Sequence, residues 1–300
     1  MEIEEVNKFG SESNRILSNN DIDKESVRLN IITEHELLTE DFFDLTNDKY
    51  HGGTTLSSGV KPKWDFLKRA YMIKGCEIDD FGMHLTDSLN EELVYRFCKE
   101  LGIDCAFYRV IAIKYINSET QQLIESEAVV TKIFKGPLVH YRDVRDQYSL
   151  GSKNDQLHDL FEIYNIQPEL NDMFFIDYIF NQQDRHSKNF GLVNGQMSPI
   201  FDSGSCLFYE RYDSDLSDVL YDMIPRHKTF SKDLRELLIF SLDYIYPDFS
   251  FSFDYNIIMS AFEKALQPLI NKYTEKRLAF IKELVKRPAK FCQEVLGKKP

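Results

Sequence analysis

Three residues near the middle of the chain have the types and the order that phosphoryl transfer requires. Asp184 is followed by Asn189 and then by Asp202, and an apolar run at residues 173–180 precedes them. Phosphoryl transfer from ATP needs a carboxylate that orients the attacking hydroxyl group and oxygen ligands that hold magnesium on the phosphates. Asp184 suits the first role, and Asn189 and Asp202 suit the second. Each of them alone is typical of a turn or a cap, so the prediction depends on their occurring together.

Two residues between Asp184 and Asn189 are further candidates for the catalytic group. His186 could order this loop through hydrogen bonds to the backbone, and Lys188 could steady the transferring phosphate. Arg185 could equally pair with a nearby carboxylate. We group His186 and Lys188 with Asp184 as candidate catalytic residues and assign no chemical step to either.

The first half of the chain offers residues that could hold a nucleotide. Ser57, Ser58 and Gly59 are a candidate for a turn whose backbone amides could bind phosphate oxygens, with Lys63 close behind. Lys74 ends a strand-like run and could reach the phosphates. Glu91, 17 residues further on, could hold that lysine from a helix. Alone, the turn is more typical of a surface loop and the Lys–Glu pair of a surface ion pair, so both depend on the later Asp/Asn/Asp set.

The order of predicted elements indicates an α+β protein with two lobes. Strands are expected at residues 27–33, 70–74, 107–116 and 128–134. Asn90 should cap a helix over 91–101 that ends at Gly102 and turns Glu91, but not Glu92, inward. Helical periods follow at 168–180, 232–246, 256–270 and 274–296, interrupted only by a hairpin at 190–201 with Asn194 and Gly195 at its tip. We expect a loose acidic arm at residues 1–25, a β-rich lobe at 26–135 and a mainly helical lobe at 136–300.

Composition excludes several other classes of function. The 300 residues are 43% hydrophobic and 28% charged, and no apolar run approaches the roughly 20 residues that cross a bilayer. The acidic start is unlike a signal peptide, so we expect a cytoplasmic protein with no membrane partner. Five scattered cysteines form no zinc or disulfide pattern. A net charge of −13 argues against direct nucleic-acid binding.

The residues also resemble a known family. The run from Asp184 to Gly191 (Asp-Arg-His-Ser-Lys-Asn-Phe-Gly), followed by Pro-Ile-Phe-Asp at 199–202, resembles the catalytic pattern of HipA-like serine/threonine kinases. These are bacterial proteins that often act as toxins in toxin–antitoxin modules. The Asn-Glu pair at 90–91, the Leu-Gly-Ile run at 101–103 and the lysine strand at 70–74 are similar to further segments of that family. The resemblance covers roughly residues 55–205.

The resemblance implies a kinase-like fold that uses ATP and magnesium. Asp184 would be the catalytic base, Asn189 and Asp202 the metal ligands, and Lys74 a ligand of the nucleotide phosphates. It also implies a protein substrate with a Ser or Thr acceptor, and a small antitoxin partner. Ser57 or Ser58 would be the site of an inhibitory autophosphorylation.

Two departures from family patterns accompany this resemblance. Because the phosphate-binding turn occurs by residue 57, the chain is expected to lack the extra N-terminal subdomain of full-length members. Asp202-Ser203-Gly204 stands where eukaryotic protein kinases have Asp-Phe-Gly, and the metal-binding Asp is kept.

Two alternatives stay open. The Asp-Arg-His-x-x-Asn string at 184–189 is shared with phosphatidylinositol kinases, and from Glu263 onward the chain has ten Lys or Arg against four Glu, which could face an anionic membrane. The Lys-Asn-Phe-Gly run at 188–191 and the small size of the chain favour a protein kinase. A nucleotide-binding pseudokinase or scaffold is the other alternative, and the intact Asp/Asn/Asp set argues against it.

Overall fold

A mixed sheet of six strands is the main feature of the first half of the chain. The computed structural model describes residues 33–52, 61–67, 69–76, 85–117, 120–148, 166–230, 232–243 and 253–296. The strands are β1 (Phe42–Asp44), β2 (His51–Gly52), β3 (Pro62–Phe66), β4 (Tyr71–Gly75), β5 (Tyr108–Ile116) and β6 (Leu123–Lys132). The strand order is β1-β5-β6-β4-β3-β2, and each neighbouring pair is antiparallel except β1 with β5.

The two faces of this sheet carry different side chains because neighbouring residues on a strand point to opposite sides. One face packs Trp64, Phe66, Ile73 and Ile111 into a core that helix α1 (Glu34–Thr39) also enters through Leu37. The other face turns towards helix α2 (Asp87–Leu101), which packs against β5 and β6. Residues on this second face include Lys63 and Lys74, which alternate with the apolar positions.

Helix α2 begins earlier than the sequence suggested, so the predicted cap at Asn90 is wrong. Its N-cap is Thr86, and Asn90 lies fully buried inside the first turns. There the Asn90 side-chain amide donates to the carbonyl oxygens of Gly204, at 3.3 Å, and Cys206, at 2.8 Å. Asn90 therefore ties the helix to the segment that follows Asp202. The predicted end is confirmed, since Gly102 takes a left-handed conformation with φ of 74°.

The second half of the chain is mainly helical, as predicted, and its core is continuous with the inner side of α2. The helices are α3 (Tyr141–Tyr148), α4 (Gln167–Ile179), α5 (Leu234–Asp243), α6 (Tyr255–Leu266) and α7 (Glu275–Phe291). Helix α6 packs against α2, and α4 lies against α5 and α7. The helices expected at 256–270 and 274–296 are each shorter in α-helical form, because Gln267–Lys272 is a 3-10 helix and Cys292–Leu296 a π-helix.

A small second sheet lies in the helical half and contains one more strand than expected. The predicted hairpin is present as β8 (Gly191–Val193) and β9 (Gln196–Met197), with Asn194 and Gly195 at positive φ of 54° and 79°. Strand β7 (Leu138–His140) pairs with β8 and had not been predicted. Because Gly191 lies close against the backbone of Val139, a Cβ atom there would approach the Val139 carbonyl oxygen to 2.1 Å.

Several predictions concern residues outside the described part of the chain. These are the acidic arm at 1–25, most of the strand expected at 27–33, and the phosphate-binding turn of Ser57, Ser58 and Gly59. The proposed lobe boundaries also stay predictions. Within the described residues, every helix is too short or too polar to cross a membrane.

Candidate active site

Three residues from separate parts of the chain form a buried ionic cluster between the sheet and the helical half. Lys74 extends from β4, and its Nζ atom lies 2.5 Å from Oε1 of Glu91 on α2. The same Nζ lies 2.7 Å from Oδ1 of Asp202, which is 128 positions away in the sequence. The sequence predicted the pairing of Lys74 with Glu91, and the structure adds Asp202 as a second carboxylate partner.

The charges of this cluster stabilise one another. Burial alone would lower the pKa of Lys74, but Asp202 and Glu91 raise it well above its ordinary value. Burial would raise the pKa of Asp202, yet Lys74 and Lys61 hold it far below its ordinary value. Burial raises the pKa of Glu91 despite the opposing effect of Lys74. Lys74 and Asp202 are therefore charged across the physiological pH range.

Lys63 is a second buried lysine at the same place. It lies opposite Lys74 in the β3–β4 register and is 2% exposed. Among the described residues its ammonium group has no hydrogen-bond partner. Burial, followed by repulsion from Lys74, lowers the pKa of Lys63 to about 8. A buried ammonium group without an anion is unfavourable, so this position suits a protein that binds an anionic ligand there.

The segment after α4 holds Asp184 and Asn189 in one hydrogen-bonded loop, which we call the catalytic loop (residues 181–189). The Asn189 side-chain amide donates to the carbonyl oxygen of Asp184 at 2.9 Å, so its Oδ1 atom is left as an acceptor or ligand. The backbone N–H of Asp184 donates to Oε1 of Gln182 at 3.0 Å. The Asp184 carboxylate itself is 34% exposed and reachable by a substrate.

Arg185 stabilises the catalytic loop through buried contacts. Its fully buried guanidinium group pairs with Asp177 on α4, with NH2 2.9 Å from Oδ1 and Nε 3.1 Å from Oδ2. It also donates to the carbonyl oxygens of Asn189, at 3.0 Å, and Phe201, and to the Ser203 hydroxyl at 3.1 Å. The pairing of Arg185 with a carboxylate, left open from the sequence, is confirmed. One side chain thus joins the catalytic loop to the segment that carries Asp202.

Asp202 takes a left-handed backbone conformation, with φ of 54°, which Asp tolerates better than most residues. Its N–H donates to the hydroxyl oxygen of Tyr108 on β5 at 3.0 Å. Two residues later, Gly204 lies close to α2, where a Cβ atom would come within 3.3 Å of the Glu91 side chain. The Asp202 segment is therefore held directly against the helix that supplies Glu91.

His186 and Lys188 lie at the exposed side of the catalytic loop. Nδ1 of His186 accepts the backbone N–H of Lys188 at 3.2 Å, and its Nε2 lies 4.0 Å from Oδ2 of Asp184. Lys188 is half-buried. The structure brings both residues near Asp184 without assigning either a chemical step.

Two further site residues were not predicted from the sequence. Lys228 places its Nζ atom 2.6 Å from Oδ1 of Asp184. The neighbouring His227 is buried among Phe174, Phe190 and Phe230, and burial lowers its pKa to about 3, so the ring is neutral. Lys228 lies 44 positions after Asp184 in the sequence, so no motif spacing connects them. The packing of His227 and Phe230 against Phe190 brings the two segments together.

Glu92 is buried, although the sequence predicted that it would not face inward. It does pair with Arg96, with Oε1 2.6 Å from NH2, as the helical spacing suggested. However, Glu92 is 3% exposed, and its other oxygen accepts the backbone N–H of Val110 at 2.5 Å. Glu91 is therefore not the only inward carboxylate on α2, because Glu92 holds the helix to β5.

The donor atoms of Asn189 and Asp202 fit a magnesium ion. Magnesium is commonly bound by one or two protein carboxylates or amides, with phosphate oxygens and water completing the octahedron. Asn189 offers Oδ1, and Asp202 is partly accessible although Lys74 occupies its Oδ1. In the described ranges no group of three His, Cys, Asp or Glu side chains could hold a metal alone. A metal here would therefore depend on ligands from a bound nucleotide.

Comparison with known proteins confirms the predicted fold. The proinflammatory kinase CtkA of Helicobacter pylori has a TM-score of 0.56 and 18% identity, over 85% of this chain and 97% of that one. This likeness establishes an α+β, two-lobed, kinase-like fold with a β-rich and a mainly helical lobe. HipA of Shewanella oneidensis, in a structure with HipB and operator DNA, gives a TM-score of 0.42 and 14% identity over 88% of this chain and 70% of that one. No protein-family model and no curated protein matches the chain.

Proposed function

We propose that the chain is an ATP- and magnesium-dependent serine/threonine protein kinase of the HipA-like type. The observation that carries the proposal is the Lys74 ammonium group, held between Glu91 and Asp202 within 2.7 Å of both. This arrangement orients a lysine and a metal-binding carboxylate towards one place, which suits the phosphates of a nucleotide. The kinase-like fold supports the proposal independently.

Nucleotide phosphates would be bound by the two lysines on the inner face of the sheet. Lys74 has carboxylate partners, whereas the Lys63 ammonium group has none among the described residues. A triphosphate would supply the missing negative charge. Backbone amides at Ser57, Ser58 and Gly59 would complete the site, as the sequence resemblance implies. Magnesium held by Asn189 and Asp202 would neutralise part of the phosphate charge.

Asp184 would act on the acceptor. The acceptor hydroxyl would pass its proton to the Asp184 carboxylate while its oxygen bonds to the terminal phosphorus, and ADP would leave with the electron pair of the broken bond. Asp184 suits this role because it is partly exposed and because Arg185 and Asn189 fix the loop that carries it.

The ion pairs of the basic segment from Glu263 onward favour a protein acceptor over a lipid acceptor. Several of its basic residues already have acidic partners: Lys282 with Glu263, Lys286 with Glu283, Arg287 with Asp222, and Arg277 with Asp213. A surface whose charges are paired in this way attracts an anionic membrane less strongly. Vesicles that contain phosphoinositide, offered with labelled ATP, should therefore remain unlabelled.

The toxin role, a small antitoxin partner and inhibitory autophosphorylation at Ser57 or Ser58 rest on the sequence resemblance alone. The cytoplasmic location is likewise a proposal, and it rests on composition. The enzyme itself is tested by incubation with labelled ATP, magnesium and protein substrates. Phosphate transfer supports the proposal, whereas thermal stabilisation by ATP without any transfer would favour the pseudokinase alternative.

A further inference from the structure

The ion pair between Lys228 and Asp184 is unusual in its location. Nζ of Lys228 lies 2.6 Å from Oδ1 of Asp184, and the two side chains are 54% and 34% exposed. Exposed ion pairs contribute little to stability. The pair therefore adds little to folding, and one of its two partners is the proposed catalytic base.

The backbone that carries Lys228 is anchored to the catalytic loop. In the turn that carries Lys228, the His227 N–H donates to the Lys232 carbonyl oxygen at 2.8 Å, and Arg226 forms a β-bridge with Asp233. The Thr229 hydroxyl donates to the carbonyl oxygen of Arg185 at 3.4 Å. His227 and Phe230 are buried, so the turn is fixed on both sides of Lys228.

The two oxygens of the Asp184 carboxylate have different environments. Lys228 holds Oδ1, whereas the shortest ionic contact of Oδ2 among the described residues is His186 Nε2 at 4.0 Å. A carboxylate held at one oxygen cannot rotate freely, and its second oxygen keeps a fixed direction. Activated groups in active sites are commonly oriented by a third residue in this way.

We propose that Lys228 is the positioning residue for Asp184, holding Oδ1 so that Oδ2 faces the acceptor hydroxyl. This inference rests on the proposed kinase function. The proton of the acceptor passes to Oδ2, and the hydrogen bond from the Lys228 ammonium group to Oδ1 persists. Lys228 thus acts through Asp184, and its removal lowers the rate of transfer without weakening nucleotide binding.

The test compares Lys228→Met, Lys228→Arg and a control, Lys232→Met. Lys232 lies on the same turn, but its ammonium group is over the Phe240 ring at 5.1 Å. A positioned base contributes typically 10²- to 10⁴-fold, so loss of its orientation should lower kcat by about 10- to 100-fold. The KM for ATP and the affinity for a non-hydrolysable ATP analogue should change less than about twofold. Lys228→Arg should recover most of kcat, and Lys232→Met should resemble wild type.

A second measurement tests whether Lys228 acts through Asp184. In an Asp184→Asn background, adding Lys228→Met should change the residual rate by less than about twofold, because residues that act as a unit are non-additive. A full additional loss in that background would overturn the inference, as would an unchanged or increased kcat in Lys228→Met alone. An equal loss in Lys232→Met would mean a merely structural role. Wild-type protein without phosphate transfer would instead contradict the proposed function itself.

Discussion

Lys63 and Lys74 lie directly opposite each other on β3 and β4 and extend from the same face of the sheet. Lys74 is neutralised by Glu91 and Asp202, whereas Lys63 is buried without a hydrogen-bond partner among the described residues. Two ammonium groups on paired positions of neighbouring strands repel each other, and their burial makes the charged forms still less favourable. We propose that a polyphosphate completes this site.

The first prediction is that Lys63→Met has opposite effects on stability and on binding. Without nucleotide, the variant should melt at a higher temperature than wild type, because a buried unpaired charge is removed. Its affinity for ATP should fall, because a phosphate ligand is lost. Thermal melting and titration with an ATP analogue measure the two effects. Lys114→Met on β5, where Lys114 is in a weak pair with Glu125 at 4.0 Å, is a matched control. A lower melting temperature together with unchanged affinity would contradict this role for Lys63.

The second prediction concerns pH. Because the pKa of Lys63 is lowered to about 8, its ammonium group loses the proton above that pH in the free protein. Bound phosphates favour the charged form, so binding should take up a proton and the Kd for ATP should rise by up to about tenfold per pH unit above pH 8. Titrations between pH 7 and pH 9.5 measure this slope. Lys63→Met should lose it, and an equal slope in both proteins would assign the proton to another group.

The same shift has a consequence for folding with a defined sign. The unfolded chain keeps the proton of Lys63 to a higher pH than the folded protein, since the pKa is lowered on folding. The buried charge of Lys63 therefore lowers the free energy of unfolding most below about pH 8. This penalty becomes smaller as the pH rises towards the ordinary pKa of lysine. The difference in melting temperature between Lys63→Met and wild type should accordingly be larger at pH 7 than at pH 9.5.

The third prediction concerns Arg185, which stabilises the catalytic loop. Arg185→Met leaves the buried Asp177 carboxylate without its partner, which should destabilise the protein by about 3 to 5 kcal/mol. It also removes the hydrogen bonds to Asn189, Phe201 and Ser203. Urea unfolding measures the change. Arg142→Met, on the exposed side of α3, should change stability by less than about 1 kcal/mol. Equal effects of the two substitutions would show that Arg185 does not brace the loop.

The sequence predicted the fold and the pairing of Lys74 with Glu91, because both follow from patterns within short stretches of chain. Strand-like runs predicted β5 closely and the second half of β6, which begins at Leu123 and not at residue 128. The Asn194-Gly195 pair predicted the hairpin. The order of Lys74, Glu91, Asp184 and Asp202 predicted one cleft, and the ionic cluster is consistent with it. These signals lie within short stretches of chain or in a shared motif.

What could not be predicted depends on contacts between distant segments. Asn90 has the side chain of a helix cap, but tertiary contacts with Gly204 and Cys206 explain its position better. Glu92 is buried because Val110 lies beside it, and β7 forms because β8 offers it an edge. Lys228 reaches Asp184 only through the packing of His227 and Phe230. These partners are far apart in the sequence, so no motif or helical period pairs them.

The fourth prediction concerns regulation by the turn near residue 57. A phosphate on Ser57 or Ser58 would bring about −2 charges close to the nucleotide phosphates and should lower ATP affinity. Mass spectrometry after prolonged incubation with ATP and magnesium should find phosphate there in wild type. It should be absent in Asp184→Asn incubated alone. A phosphate-free turn in an active wild-type enzyme would contradict this form of control.

The central claim is that Asp184 accepts the proton of a Ser or Thr hydroxyl during transfer from ATP. The most direct measurement is transfer of labelled phosphate with magnesium by wild type, Asp184→Asn and the exposed control Asp143→Asn on α3. We predict that wild type and Asp143→Asn label protein equally, and that Asp184→Asn is slower by at least about 100-fold while it still binds ATP. Equal labelling by wild type and Asp184→Asn would contradict the account.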